Sequence, residues 1–131
     1  MNILLIEDSK GDILLMDSAF GELGISYNLN VKENGMRALR FIEEADLGNI
    51  ELPDFIILDL NLPYISGFDL LQQIRLSARL KDIPVIVFSS SAEEKDKLRA
   101  LELGAAAYFT KPVDYNAYVS TVGGFLGILN V

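Results

Sequence analysis

Short apolar runs alternate with helical patterns along the whole chain, and this alternation is the feature that most constrains its fold. Residues 3–6, 55–58 and 84–88 form continuous apolar runs, which are typical of strands buried on both faces of a sheet. Residues 26–31 alternate between apolar and polar side chains, which predicts a strand with one wetter face, and residues 106–110 form a last short run. The pattern predicts five strands, each separated from the next by a longer segment.

The segments after the strands carry apolar residues at the spacing of a helix. Helices are predicted over residues 10–23, 36–45, 68–77, 92–103 and 114–126. Strand and helix therefore alternate five times, which predicts an α/β fold, a doubly wound parallel sheet with right-handed crossovers and helices on both faces.

The spacing also predicts which side of a helix faces the core. The inner face of the first helix is assigned to Ile13, Leu14, Met16, Ala19, Phe20 and Leu23, and that of the fourth helix to Leu98, Leu101 and Ala105. The last helix contains Gly123, Gly124 and Gly127, and glycine lowers the stability of a helix. We therefore expect these glycines to weaken the last helix.

Length and composition limit the classes of site. The chain has 131 residues, half of them apolar, so residues 1–131 are interpreted as a single domain. It contains no cysteine and no histidine, which excludes disulfides, thiolate and imidazole metal ligands, and a Ser-His triad. A net charge of −8 disfavours contact with DNA and with anionic membranes. No apolar run resembles a signal peptide or a membrane span, and a cytoplasmic location is expected.

Polar side chains follow four of the predicted strands at the point where each strand ends. Glu7 and Asp8 follow the first strand, Asp59 the third, Ser89 the fourth and Lys111 the fifth. Ligands of open parallel sheets bind outside the carboxyl ends of the strands. We therefore expect these side chains to line one crevice.

The residue types in this crevice point to phosphoryl chemistry. Three carboxylates repel one another and need a cation, and without soft ligands a hard cation such as Mg²⁺ is the one that fits. Asp59 would be a carboxylate nucleophile toward phosphorus. Lys111 would neutralise the charge of the transferring group, and Ser89 would donate a hydrogen bond to it.

Each of these residues also has an ordinary structural interpretation. Glu7 and Asp8 fit the start of a helix, where acidic side chains interact favourably with the helix dipole. Asp59 fits an ordinary acidic loop residue, Ser89 fits a turn, and Lys111 fits a plain loop. One such residue would mean little, but suitable groups at four strand ends favour the functional interpretation.

The acidic residues resemble those of the receiver domains of response regulators. Glu7-Asp8 resembles the acidic pair of that family, and Asp59, in the sequence Leu-Asp-Leu-Asn-Leu-Pro, resembles its phosphoacceptor and the loop that follows. The resemblance covers essentially the whole chain. It is closest to the single-domain receivers associated with phytochromes and other sensor kinases.

Four further positions match the same family. Gly67 stands at its turn glycine, Ser89 at its Ser/Thr switch position, and Lys111-Pro112 at its lysine and proline. The resemblance implies that Lys111 pairs with the phosphoryl group and that the Lys111–Pro112 peptide bond is cis. It also implies a flavodoxin-like sheet of order 2-1-3-4-5.

The resemblance further implies a metal site and a switch. Mg²⁺, with Mn²⁺ as a substitute, would be held by Glu7, Asp8, Asp59 and the backbone carbonyl of Asn61. Ser89 would turn toward the phosphoryl group, and Tyr108 would move inward as its aromatic partner. A sensor histidine kinase or a phosphotransfer protein would donate the phosphoryl group to Asp59 in a two-component phosphorelay.

A signalling role without an output domain implies altered protein binding rather than turnover of a substrate. The apolar C-terminal face, which favours a homodimer, comprises Tyr115, Tyr118, Val119, Val122, Phe125, Leu126, Ile128, Leu129 and Val131. We therefore interpret the chain as a switch and not as an enzyme.

Three other functions compete with this interpretation. An aspartyl-phosphate enzyme would need a second acid two positions after Asp59, where the chain has Asn61. A flavin- or nucleotide-binding module would need a phosphate loop after the first strand, where Glu7 and Asp8 stand. An adaptor that works without phosphorylation would not need Asp59, Ser89 and the acidic pair together.

Overall fold

The structure is a computed structural model that describes residues 1–130. The strands are β1 (Asn2–Ile6), β2 (Asn28–Lys32), β3 (Phe55–Leu58), β4 (Val85–Ser89) and β5 (Ala107–Thr110). The helices are α1 (Lys10–Glu22), α2 (Gly35–Asp46), α3 (Gly67–Leu76), α4 (Glu94–Glu102) and α5 (Tyr115–Ile128). Every predicted strand and helix is present, with ends that differ by about two residues or fewer.

The five strands form one parallel sheet in the order β2-β1-β3-β4-β5. The predicted fold class and strand order are confirmed. Ile6 pairs with Leu58 and Ser89 pairs with Thr110, so the strands end at the same edge of the sheet. The residues that follow these strand ends are therefore neighbours in space.

The core has two layers, one on each face of the sheet. On one face, α1 and α5 pack over the sheet through Met16, Ala19, Phe20, Tyr118, Val122 and Phe125. On the other face, α2, α3 and α4 contribute Ala38, Phe41, Ile42, Ala45, Leu70, Leu71, Ile74 and Ala100. Strands β1, β3 and β4 lie between the layers, which is why their sequences are continuously apolar.

The inner faces of two helices differ from the prediction. Leu14 is 69% exposed, Leu98 51% and Leu101 40%, although the helical spacing predicts that all three face the core. Successive residues of an α-helix are rotated by roughly 100° about its axis, so residues two positions apart lie on almost opposite sides. Leu14 therefore lies opposite the buried Met16, and Leu98 opposite the buried Ala100. The small side chain of Ala100, and not the leucines, marks the inner side of α4.

Helix α5 runs through all three of its glycines and ends at Ile128. Tyr118, Val122 and Phe125 are buried, so packing on the sheet stabilises this helix despite its glycines. Val131 lies outside the described residues. Neither α5, with 14 residues, nor any other helix within residues 1–130 is long and apolar enough to cross a bilayer.

The peptide bond between Lys111 and Pro112 is trans, since residues 1–130 contain no cis peptide bond. The prediction of a cis bond is therefore wrong. The trans form is favoured by about 0.5–1 kcal/mol even before proline. With this bond trans, the backbone N–H of Lys111 still donates to the carbonyl of Ser89 at 2.8 Å, which fixes the start of the loop after β5.

Ser77, the C-cap residue directly after α3, is the centre of a small buried hydrogen-bond network. Its hydroxyl donates to Asp46 Oδ1 and accepts from the backbone N–H of Leu80 at 3.1 Å. Ser77→Ala would leave the backbone N–H of Leu80 without its acceptor and would remove one of the two donors to Asp46 Oδ1, the other being the backbone N–H of Arg79. We expect the free energy of unfolding to fall by about 1–2 kcal/mol in urea denaturation. Ser120→Ala, on the exposed side of α5, is the control and should be neutral or slightly stabilising. Equal stability of the two variants would contradict a structural role for Ser77.

Candidate functional site

Three carboxylates meet where β1 and β3 end. Glu7 and Asp8 follow β1, and Asp59 follows the neighbouring strand β3. The backbone N–H of Glu7 donates to Lys32 and that of Asp59 donates to Ile6, each at 3.1 Å, so sheet hydrogen bonding fixes both positions. Glu7, Asp8 and Asp59 each offer one oxygen, and these oxygens lie within 4.8 Å of one another. The predicted clustering of these acids is present.

Two of the three carboxylates are buried. Glu7 is 3% exposed and Asp59 is 6% exposed, whereas Asp8 is exposed. Burial raises the pKa of Glu7 to about 7, and the charge of Asp59 adds to the effect, while the hydrogen bond from Lys111 opposes it. The crevice therefore holds two buried carboxyl groups that water can screen little, and Glu7 binds a proton more readily than a free glutamate does.

The ammonium group of Lys111 lies at the centre of this charge. Its Nζ is 2.6 Å from Glu7 Oε1, 3.0 Å from Asp12 Oδ2 and 3.2 Å from Asp59 Oδ2. Burial alone lowers the pKa of Lys111, but the hydrogen bond to Glu7 and the charges of Asp59 and Glu7 outweigh burial and raise it above its ordinary value. Lys111 is therefore a fixed cation beside the Asp59 carboxylate.

Asp12 contacts Lys111 but was not among the predicted site residues. It lies in the first turn of α1, where Ser9 caps the helix by accepting from the Asp12 backbone N–H at 3.3 Å. The sequence does carry a signal for it, because α1 starts directly after the acidic pair and its first turn must lie beside them. The spacing of residues along the chain does not predict that the Asp12 side chain points toward Lys111.

Lys111 contacts one oxygen of the Asp59 carboxylate; Asn61 contacts the other oxygen, and Ser89 contacts Asn61. The Asn61 backbone N–H donates to Asp59 Oδ1 at 3.2 Å. The Asn61 side-chain amide donates to the Ser89 hydroxyl at 3.4 Å, and Ser89 itself is fully buried. One serine and one asparagine thus connect the end of β4 with the loop that follows Asp59.

Tyr108 stands one strand further along the sheet, on β5. It is half-buried, and its hydroxyl donates to the backbone carbonyl of Ser91 at 2.7 Å. It packs against the core layer formed by α2, α3 and α4. The structure therefore places Tyr108 next to the loop after β4 and not in contact with the carboxylates.

The donor set of the crevice is suited to a hard divalent cation. All the charged ligands available are carboxylate oxygens, which is the chemistry that Mg²⁺, Mn²⁺ and Ca²⁺ prefer in proteins. A nearby lysine and a buried serine add one cation and one hydroxyl group beside Asp59. This combination can position and neutralise a transferring phosphoryl group.

Comparison with known proteins identifies the family. A profile of the response regulator receiver domain matches residues 3–122. Response regulator Rcp1 of Synechocystis sp. is 36% identical over 110 residues, which are 83% of this chain and 75% of Rcp1. The residues matched by the profile include the acidic pair, Asp59 and Lys111.

Solved structures agree in fold and in length. The crystal structure of the Mn(2+)-bound form of Rcp1 has a TM-score of 0.85 and 33% identity, and covers 96% of this chain and 91% of that one. The crystal structure of the phosphorylated cyanobacterial phytochrome response regulator RcpA has a TM-score of 0.88 and 32% identity, and covers 98% and 93% respectively. The chain therefore belongs to the response regulator receiver domains, the signalling switches of two-component systems.

Proposed function

We propose that Asp59 accepts a phosphoryl group from a sensor histidine kinase or a phosphotransfer protein, and that the phosphorylated chain signals through altered protein binding. The observation that carries the proposal is the position of the Asp59 carboxylate, 3.2 Å from the Lys111 ammonium and within 4.8 Å of oxygens from Glu7 and Asp8. The phosphorylated relative RcpA supports it.

The transfer moves one phosphoryl group between two nucleophiles. An Asp59 oxygen forms a bond to phosphorus while the bond from phosphorus to the donor's imidazole nitrogen breaks, and that nitrogen keeps the electron pair. With acetyl phosphate as the donor, acetate leaves instead. Lys111 already lies beside Asp59 and stabilises the charge on the phosphoryl oxygens, so the chain promotes the transfer itself.

The cation of the site is Mg²⁺ in this proposal, with Mn²⁺ as a substitute. Glu7, Asp8, Asp59 and the backbone carbonyl of Asn61 would hold it, and all of these ligands are oxygen atoms. When bound, it neutralises the negative charge that develops on the transferring phosphoryl group. The Mn(2+)-bound form of Rcp1 supports a divalent cation in this family.

The new phosphoryl group changes the local charge and hydrogen bonding. It carries about −1.5 to −2 charges and three acceptor oxygens. The Ser89 hydroxyl turns from its contact with Asn61 toward these oxygens, and Tyr108 moves further into the space beside β4. The altered surface comprises α4, β5 and α5.

Self-association through the C-terminal face remains a further part of the proposal. Tyr118, Val122 and Phe125 are buried against the sheet and cannot contribute to an interface. Ile128 is 46% exposed, so any dimer contact on α5 would centre near the end of that helix.

The decisive measurement is the intact mass of the protein after incubation with acetyl phosphate. We expect one phosphoryl adduct on the wild type in the presence of Mg²⁺, and no adduct in EDTA. Asp59→Asn should give no adduct under either condition, because the amide is not a nucleophile toward phosphorus.

Asp54→Asn is the matched control, since Asp54 lies before β3 and its carboxylate accepts the backbone N–H of Asn2 at 2.7 Å, remote from the strand ends. It should be phosphorylated like the wild type. An adduct that persists in Asp59→Asn would place the chemistry on another residue. Failure of the wild type to bind beryllofluoride as well would favour an adaptor that works without phosphorylation.

A further inference from the structure

Ser91, in the loop after β4, connects three parts of the molecule. Its backbone N–H donates to the Ser89 hydroxyl at 3.3 Å. Its own hydroxyl donates to Asp96 Oδ2 at 2.6 Å, in the first turn of α4, and accepts from the backbone N–H of Glu93 at 3.3 Å. Its carbonyl accepts from the hydroxyls of Tyr108 at 2.7 Å and of Thr110 at 3.2 Å. Ser91 thus joins Ser89, α4 and β5.

Helix α4 is weakly attached by other contacts. Ala100 is its only buried residue among those described, and Glu93 at its N-cap makes no side-chain capping hydrogen bond. The guanidinium of Arg99 stacks on the Phe68 ring at 4.2 Å, but this contact lies toward the far end of the helix. The hydrogen bond from Ser91 to Asp96 is therefore the main polar attachment of the N-terminal half of α4.

We propose that the Ser91–Asp96 hydrogen bond couples α4 to the phosphorylation state of Asp59, so that Ser91 and Asp96 are positioning residues of the switch. This inference rests on the proposed function of Asp59. It adds the route by which a change at Ser89 reaches a helix that neither Ser89 nor Asp59 contacts through a hydrogen bond.

The physical reason is the rotation of the Ser89 side chain that the proposed function requires. Its hydroxyl oxygen now accepts from both Asn61 and Ser91. When the hydroxyl turns to a phosphoryl oxygen, the backbone N–H of Ser91 loses its acceptor, and the loop must shift to give it another. Because the Ser91 hydroxyl is held by the charged Asp96 side chain, the shift of the loop moves the first turn of α4 with it.

The test compares hydrogen exchange of backbone amides with and without beryllofluoride, which binds an aspartate as a mimic of the phosphoryl group. The probe is beryllofluoride with Mg²⁺, added to the whole chain. In the wild type we expect changed exchange both in the loop around Ser89 and in the α4 amides. In Asp96→Ala the loop should still respond, while the response of α4 falls about tenfold.

Two further variants separate coupling from simple loss of structure. Asp96→Asn keeps an oxygen that can accept from the Ser91 hydroxyl, and it should restore part of the α4 response. Lys97→Ala changes a neighbouring exposed residue of α4 and should respond like the wild type.

Each outcome bears on one proposal only. A full α4 response in Asp96→Ala would overturn the coupling, as would an α4 that is already unprotected in that variant before beryllofluoride is added. Failure of beryllofluoride to change the Ser89 loop even in the wild type would instead count against the proposed function of Asp59.

Discussion

Replacing Gly67 with alanine is expected to lower the free energy of unfolding by about 3 kcal/mol, although it adds a single methyl group. A Cβ at this position would lie 2.5 Å from the carbonyl oxygen of Asp59 and 2.5 Å from the Cα of Leu60. Both are backbone atoms and cannot rotate away as a side chain can. The backbone N–H of Gly67 also donates to the carbonyl of Leu60 at 3.0 Å, so the two segments are held at this distance.

The same clash should disturb the site itself. To make room for the methyl group, the segment that carries Asp59 must move, and its carboxylate moves relative to Lys111. We therefore expect slower adduct formation with acetyl phosphate in Gly67→Ala, even at temperatures where the variant stays folded. Urea denaturation and the time course of the intact mass measure the two effects separately.

Gly21→Ala is the matched control for this prediction. Gly21 also lies in a helix, but a Cβ there would meet nothing within 4 Å. Alanine should stabilise α1 by about 0.5–1 kcal/mol, because it restricts the unfolded chain. If Gly67→Ala proved as stable as Gly21→Ala, the close approach between α3 and the loop after Asp59 would not exist in solution.

The strands could be predicted from the sequence because their environment leaves a simple pattern. A strand between two layers of helices is apolar on both faces, so residues 55–58 read as one unbroken run. Because the strands are parallel, the polar residues at their ends are predicted to lie close together. Glu7, Asp59 and Lys111 do so in the structure.

The inner faces of the helices were harder to predict, because apolar residues also occur on exposed surfaces. Leu98 and Leu101 outweigh Ala100 in any count of hydrophobicity, yet only the alanine is small enough to let α4 lie close to the sheet. The contacts of Asp12 with Lys111 and of Asp96 with Ser91 were not predicted, for a different reason. Both aspartates lie in the first turn of a helix, and the spacing of residues along the chain does not specify in which direction their side chains point.

Replacing Lys111 with methionine is expected to produce a large loss of stability that Mg²⁺ partly reverses. Methionine has a similar length but no charge, so Glu7 and Asp59 would remain buried without the cation that now lies 2.6 Å and 3.2 Å from them. Removing one partner of a buried ion pair costs about 3–5 kcal/mol. We therefore expect a loss of about 3 kcal/mol in urea denaturation in EDTA at a pH of about 8.

Added Mg²⁺ should stabilise Lys111→Met more than it stabilises the wild type. In the variant the divalent cation is the only positive charge among these carboxylates, whereas in the wild type it shares them with the lysine. Lys95→Met removes the lysine of an exposed pair with Glu93 and should change neither the stability nor its dependence on Mg²⁺. A Lys111→Met variant whose deficit is the same with Mg²⁺ and with EDTA would mean that the lysine stabilises the fold independently of the carboxylate cluster. The proposed metal site would then have to lie away from Lys111.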